Sequence, residues 1–466
     1  MGAVTADAYL LTIYKTWYTD ERFEALLWRN SPLMKVIKKK RIGGKEYKYA
    51  ALFGRGGAVS GDLTVAVAIA ATSSGKNAEF AVNPGKIFSV FNVTAMEQMA
   101  SKSKQGAYIS AVTDKMFAST DAFRKTLAGC LYGSGYGDLG YVGAVNAIGA
   151  TAMTLPSDVV IKMDVDTVFF VTAGVTGLPN EAYGDATART VTAIAGNTIT
   201  FTPALGVATT ALSIIELSGG RTAGLDPNMP EGLAALLPSW YHRGAAGGAD
   251  LTAWNTFIGT AYRGVTRSIA QDRLAGQYYK KGTFVALETT ADAIVSGVRL
   301  CRRAGGVPKA LVINDEDYQQ VIVDLNLQTR YFQSINTTDK KSKNEIVKGI
   351  ADLKYSFSST WVENVYDDPF CPKGKCYILD TDVIEFVGLS NSETPLDDGI
   401  AGNDPGAQAV DGMGEPDLAF KFIIDDYITV KPGVDTANGP AAQVVLQLYG
   451  NYVIRAPFYC CVIDLV

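Results

Sequence analysis

The pattern of apolar and polar positions changes period several times along the chain, and each change marks an element. Residues 10–40 mix aromatics with charges; the spacing of Phe23, Leu26 and Leu27 predicts one short amphipathic helix ending near Pro32, within a stretch (1–40) that otherwise reads as an arm. From Gly43 to Thr94 the period becomes two. Tyr47 and Tyr49 alternate with Glu46 and Lys48, and after the turn-rich GRGGAVSGD, Leu63, Val65, Val67 and Ile69 alternate with Thr64, Ala66, Ala68 and Ala70. A second turn over Thr72–Asn77 leads to Phe80, Val82 and the strand-like run KIFSVFNVT at 86–94. The expectation is a long extended β-hairpin within 41–97, which buries little surface by itself and so should lie against something else.

Residues 102–132 carry the strongest helical signal, with Ile109, Val112, Met116, Phe123, Leu127 and Cys130 at steps of three, four and seven. Such a helix is about 45 Å long at 1.5 Å per residue, and GSGYGDLG at 133–140 stops it, completing a region at 98–150. Between Thr151 and Gly220 the texture turns to short β segments (TAMTL, VVIKM, TVFFVTAG, RTVTAI, NTITFTPAL, LSIIEL), read as a small β-rich module, 151–220, inserted between helical parts. In 221–308, Thr289 or Thr290 can cap a helix through Leu300. In 309–466, KALVIN (309–314) reads as a buried strand and DEDYQQVIVDL as a helix with acids in its first turn. From Asp367 strands dominate (CYILD, VIEFVGL, FKFIIDDYITV, QVVLQLYGNYVI, FYCCVIDLV), with a Gly- and Asp-rich loop from Asp397 to Asp417. The fold class is α+β.

Composition narrows the partners. A hydrophobic fraction of 47% in 466 residues is ample for large cores. The net charge of −5, with 19% charged residues against roughly 25% in an ordinary soluble chain, disfavours partners that demand a basic surface. The cluster Lys35, Lys38, Lys39, Lys40 and Arg41 reads as a solvated face, with phosphate binding or an acidic neighbour as the alternatives. The six cysteines, Cys130, Cys301, Cys371, Cys376, Cys460 and Cys461, are spread too thinly for a disulfide-stapled fold and read as core residues in a reducing compartment. MGAVTADAYL lacks the basic start of a secretion signal, and the apolar run from Val65 to Ala71 is only about a third of a bilayer crossing, so no membrane partner is expected.

Candidate chemistry is thin. The lone histidine, His242, removes most routes to acid/base catalysis at neutral pH, and no serine or cysteine nucleophile signature accompanies it. Gly135, Gly137 and Gly140 satisfy G-x-G-x-x-G, but a helix precedes them where a dinucleotide fingerprint needs a strand. There is no phosphate-binding P-loop, since Gly75-Lys76 is followed by Asn77. Cys371 and Cys376 lack a second ligand pair for zinc, and Asp164/Asp166, Asp397/Asp398 and Asp425/Asp426 lack the spacing of a calcium loop, although the 397–417 loop leaves calcium open. No catalytic, cofactor-binding or metal-ligating residue is assigned, and no cofactor. The expectation is a protein that is not an enzyme.

The order of parts carries a resemblance. The stretches GGKEYKYAALFGRGGAVSG (43–61), FSVFNVTAMEQMASKSKQGAYISAVTDKM (88–116), LAGCLYGSGYGDLG (127–140), GLDPNMPEGLAALLP (224–238), YRGVTRSIAQDRLAG (262–276) and the closing FIIDDYITV and YCCVIDLV resemble those of tailed-bacteriophage major capsid proteins with the Hong Kong 97-type fold. The resemblance implies an icosahedral shell subunit, with 1–40 as N-terminal arm, 41–97 as an extended loop over a neighbour, 98–150 as the peripheral domain with its spine helix, 221–308 as peripheral and axial elements, and 309–466 as axial domain with returning peripheral strands. It implies self-assembly into hexamers and pentamers of a virion capsid built in the host bacterial cytoplasm. The arm begins close to Met1, which implies a separate rather than a fused scaffolding protein; a portal and decoration proteins are further partners, and packaged double-stranded DNA is contacted weakly and non-specifically. Some relatives crosslink a loop lysine to an asparagine; Lys76 and Asn77 are candidates, and no pair is assigned. An encapsulin-like compartment shell, or a β-rich binding protein or enzyme, are the rival readings.

Overall fold

The computed structural model describes residues 36–42, 46–54, 59–72, 76–94, 125–175, 181–222, 226–237, 262–283, 287–328, 356–357, 360–361, 364–389, 428–435 and 439–465, together with Leu33, Ser119, Ala122 and Phe123. The arm helix near Phe23, most of the long helix before residue 125, His242, the 397–417 loop and the pairs Asp397/Asp398 and Asp425/Asp426 lie outside the described residues.

Three sheets organise the described chain. In the first, β1 (Lys38–Ile42) runs parallel to β17 (Ile384–Leu389), which pairs antiparallel with the long β19 (Gly439–Ile454); β18 (Ile428–Asp435) and β4 (Gly85–Thr94) also pair with β19. The second has the order β5 (Asp138–Tyr141), β10 (Ile214–Leu217), β7 (Val168–Thr172), β8 (Tyr183–Ala195), β9 (Thr198–Thr202) and β6 (Ala152–Thr154). The third has the order β11 (Gln277–Lys280), β20 (Cys461–Asp464), β16 (Lys375–Leu379), β12 (Ala310–Ile313) and β15 (Asn364–Asp367). Two short pairs complete the set: β2 (Tyr47–Leu52) with β3 (Asn77–Val82), and β13 (Ser356–Phe357) with β14 (Thr360–Trp361).

The third sheet is covered on both faces, which explains why its inner strands are apolar at nearly every position; the exceptions, Lys375 of β16 and Asp464 of β20, are buried and pair with each other at 3.0 Å. Side chains alternate across a strand, so Leu311 and Ile313 face one core with α6 (Thr290–Arg303), α7 (Asp315–Gln328) and Ile378, while Ala310 and Val312 face another. Thr289 caps α6 by accepting a hydrogen bond from Asp292 N at 3.2 Å, as its sequence signal predicts. The second core joins Tyr377, Leu379 and Val462 to Phe386, Leu448 and Tyr452 of the first sheet, and α2 (residues 125–132), the end of the long helical run, fills the junction with Leu127, Leu131 and Tyr132. Gly135 and Gly137, with φ of +92° and +75°, then turn the chain into β5, so the G-x-G-x-x-G stretch is a helix stop.

Several segments differ from the sequence reading. The expected strand at 63–69 is the helix α1 (Leu63–Thr72). Strands β2 and β3 pair from Tyr47↔Val82 to Leu52↔Asn77, which leaves 63–72 at the tip with no strand beside it; Asp62 caps it through Thr64 N (2.7 Å), and its alternate alanines favour helix. The run 86–94 leaves the hairpin and becomes β4 against β19, because its alternating Ile87 side chain reaches the main core. Within the β-rich module VVIKM is no strand: Ser157–Val160 forms the short α3 and turns follow, with Val159 and Met163 buried in the module's core. The module's sheet also begins before 151, at β5.

Candidate assembly surfaces

The hairpin divides into a root packed on its own chain and an exposed tip. Along β3, Ala78, Phe80 and Val82 are buried while Asn77 and Glu79 are exposed. Val82 joins Ile42, Val387 and Val453; Ala78 and Phe80 join Val265 and Leu274, the latter at the end of the short α5 (Gln271–Leu274). The Tyr49 ring stacks on Phe80 at 5.1 Å, and its hydroxyl donates to Ile454 O at 3.4 Å. The hairpin thus lies against something else, as expected, but at its root that support is the body of its own chain. The tip differs: Leu63 is 80% and Val67 61% exposed, with Val65 and Ile69 exposed too, and α1 carries no charge. Spaced two apart on a helix, these four side chains point to opposite sides, so no single face collects them. Covering them would stabilise a contact by on the order of 5 kcal/mol. Lys76 sits at the mouth of the tip, its carbonyl accepting from Phe53 N and Gly54 N at 3.0 and 3.2 Å.

A buried polar node sits beneath the root. Tyr262 and Val265 exchange backbone hydrogen bonds at 2.8 and 2.9 Å, closing a two-residue turn in which Arg263 (φ +50°) and Gly264 (φ +84°) are left-handed. For arginine that backbone costs about 1 kcal/mol. Arg263 Nε donates to Glu231 Oε2 at 2.6 Å, its Nη2 donates to Tyr452 O at 2.8 Å, and Tyr262 OH donates to the same Glu231 oxygen at 3.1 Å. Burial works against the Arg263 charge, but Tyr262 and Glu231 outweigh it and hold its pKa above the ordinary arginine value. Arg267 lies over the Tyr262 ring at 4.1 Å and donates to Ala235 O at 2.8 Å, at the end of the short α4 (Leu233–Leu236). None of these residues was singled out by sequence; the Arg-Gly pair inside YRGV was the available signal.

The β-rich module has its own buried ion pair. Arg221 Nε donates to Glu216 Oε2 at 2.6 Å, its Nη2 binds Glu216 Oε1, and its Nη1 donates to Glu181 O at 2.6 Å. The guanidinium lies over Tyr183 (4.6 Å) and Tyr136 (5.3 Å). Burial pushes the Glu216 carboxyl up, against the pull of Arg221. Toward the third sheet the module is tied by Ser157 Oγ donating to Glu316 Oε1 (2.5 Å), with Lys373 on the same carboxylate, and toward α2 by Lys125 Nζ on Asp164 Oδ1 (2.8 Å). Lys162, fully buried, donates to Leu139 O at 2.9 Å; burial holds its pKa below the ordinary lysine value.

The remaining chemical candidates are structural in their surroundings. All six cysteines are free and buried, Cys371 and Cys376 among them, and among the described residues no three His, Cys, Asp or Glu side chains gather as metal ligands. Asp164 holds Lys125, and Asp166 adopts a left-handed turn conformation with φ +69°. Among the described residues no helix is long and apolar enough to cross a membrane. In the basic cluster, Lys38 pairs with Asp382 at 3.2 Å and Lys40 lies over the Tyr47 ring at 5.5 Å.

No protein-family model matches the chain, and no curated protein matches it. Among solved structures it is similar to a chain of the cyanophage A-1(L) capsid asymmetric unit, with 14% identity, a TM-score of 0.48 and coverage of 94% of this chain and 93% of that one. A capsid chain of the native GTA particle gives 8% identity and a TM-score of 0.40 over 93% and 89% of the two chains. The SrpI encapsulin of Synechococcus elongatus gives 10% identity and a TM-score of 0.36 over 93% and 86%.

Proposed function

We propose that this chain is the major capsid protein of a tailed double-stranded DNA bacteriophage, with a Hong Kong 97-type fold, assembling with copies of itself into hexamers and pentamers of an icosahedral shell. The observation that carries the reading is the hairpin: a root fixed on its own subunit presents an uncharged, apolar, exposed helix, a surface that water disfavours and that contact with another copy would cover. Many modest contacts of this kind close a symmetric lattice cooperatively.

The other parts take roles that agree with this. The hairpin β2–α1–β3 serves as the extended loop, the helical run ending at Tyr132 as the spine, the third sheet with α6 and α7 as the axial domain, and the sheet from β5 to β10 as the inserted module. A net charge of −5 suits a shell whose lining should not grip DNA tightly. A scaffolding protein, a portal and decoration proteins are the further partners of this reading, and its location is the virion.

Negative-stain microscopy and sedimentation of the purified chain, alone and with a co-expressed scaffolding protein, test the proposal. Closed shells are expected. Monodisperse monomers under every assembly condition would overturn it.

A further inference from the structure

We propose that Glu231, Arg263 and Asn451 form a clasp that sets the direction in which the hairpin leaves the subunit, so that these buried positioning residues control assembly geometry from the hairpin's root. The inference rests on the reading of the chain as a shell subunit.

Four observations meet at one place. Arg263 holds a left-handed backbone that arginine disfavours, so its surroundings must over-determine it. Its carbonyl accepts from Ala81 N at 2.9 Å, which hooks strand β3 directly onto the turn. Its side chain is 4% exposed and bridges Glu231 and Tyr452 O, so the turn cannot shift without exposing or orphaning a charge. Asn451 closes the circuit: its Oδ1 accepts from Glu231 N at 2.7 Å, and its Nδ2 donates to Asn83 O at 2.9 Å, in the link between β3 and β4.

The hairpin is therefore held at the C-terminal, root end of β3 by two anchors, at Ala81 by the turn and at Asn83 by Asn451, with Glu231 joining the two holders. Strand pairing between β2 and β3 fixes the hairpin's shape but not its angle to the body. The clasp fixes that angle together with the bonds from Tyr49 OH to Ile454 O (3.4 Å), from Arg273 Nη1 to Phe53 O (3.0 Å) and from Arg455 Nη2 to Tyr47 OH (3.2 Å). A hydrophobic bed alone, such as Val265 and Leu274 under Phe80, tolerates sliding, whereas a directional set of hydrogen bonds around one carboxylate does not.

The test compares wild type with Glu231→Gln and Arg263→Asn. Asparagine accepts the left-handed turn, so Arg263→Asn removes the fork while keeping the backbone, and it serves if Glu231→Gln fails to fold. Hydrogen exchange on the unassembled chain reads the clasp without reference to shells: amides of 47–52 and 77–83 are expected to exchange at least tenfold faster, with those of 310–313 and 376–379 unchanged. Assembly reactions read its consequence, with misshapen or unclosed shells expected. Unchanged hairpin exchange would overturn the proposal, and so would loosened hairpins that still build shells identical to wild type. Failure of the wild type itself to build shells would instead overturn the functional reading, while the exchange result would still report on the clasp.

Discussion

Arg221 closes on Glu216 as a two-pronged fork, with both side chains almost fully buried and the guanidinium flanked by Tyr136 and Tyr183. Replacing one member leaves the other charge unanswered in the interior. Glu216→Gln or Arg221→Met should each cost about 3–5 kcal/mol, measured by urea denaturation. The double replacement should cost much less than the two added together, because the pair fails as a unit.

The tip of the hairpin should separate folding from association. Val67→Asp with Ile69→Asp places charge on a surface that is already exposed, so stability should change by no more than about 0.5 kcal/mol per site. Shell formation should be abolished while circular dichroism stays native. Intact shells from this variant would count against the tip as a contact surface.

Gly232 is a site where even a methyl group has no room. A Cβ there would lie 2.1 Å from Cys130 O and 2.3 Å from Leu131 O, backbone atoms at the end of α2. Gly232→Ala should cost about 1–3 kcal/mol or more, because no side chain can rotate away. Thermal unfolding reads the effect.

The thiols should be silent in the native state. Burial pushes the Cys130 thiol up to about 12 and raises Cys371 and Cys376 as well. Few thiolates of these three exist at pH 8, and all six cysteines are buried away from reagent. A disulfide-exchange reagent should find none of the six cysteines within minutes, and all six after denaturation.

Lys162 gives a signed pH dependence. Its folded pKa lies below the unfolded value of 10.5, so the unfolded chain binds more protons in that interval and stability rises with pH across it. Relative to Lys162→Met, the wild type should gain stability as pH rises toward 10.5, by at most about 1.4 kcal/mol per pH unit. A constant difference between the two curves would refute the assignment.

Much of the scaffold was legible from local pattern. KALVIN reads as a strand because both faces are buried and every inner position is apolar, and Thr289 reads as a cap because capping chemistry is local. The stretch 63–72 misled for a physical reason. Its period-two alternation satisfies a strand, but a strand needs a neighbour to pair with, and the register of β2 on β3 leaves none. The contacts of the clasp are illegible in the sequence for a different reason. Glu231 meets Asn451 across 220 positions, and no periodicity records which buried carboxylate answers which distant group.

Strand β19 has a mechanical consequence. Its sixteen residues extend over roughly 50 Å, pairing with β4 and β18 along one stretch and with β17 along the other, and Gly450 is where the partners change. Tension along such a strand loads many hydrogen bonds in shear at once instead of unzipping them singly. The subunit thus contains a tie-rod, and Asn451, one residue past the changeover, couples the hairpin's root to its stiff axis.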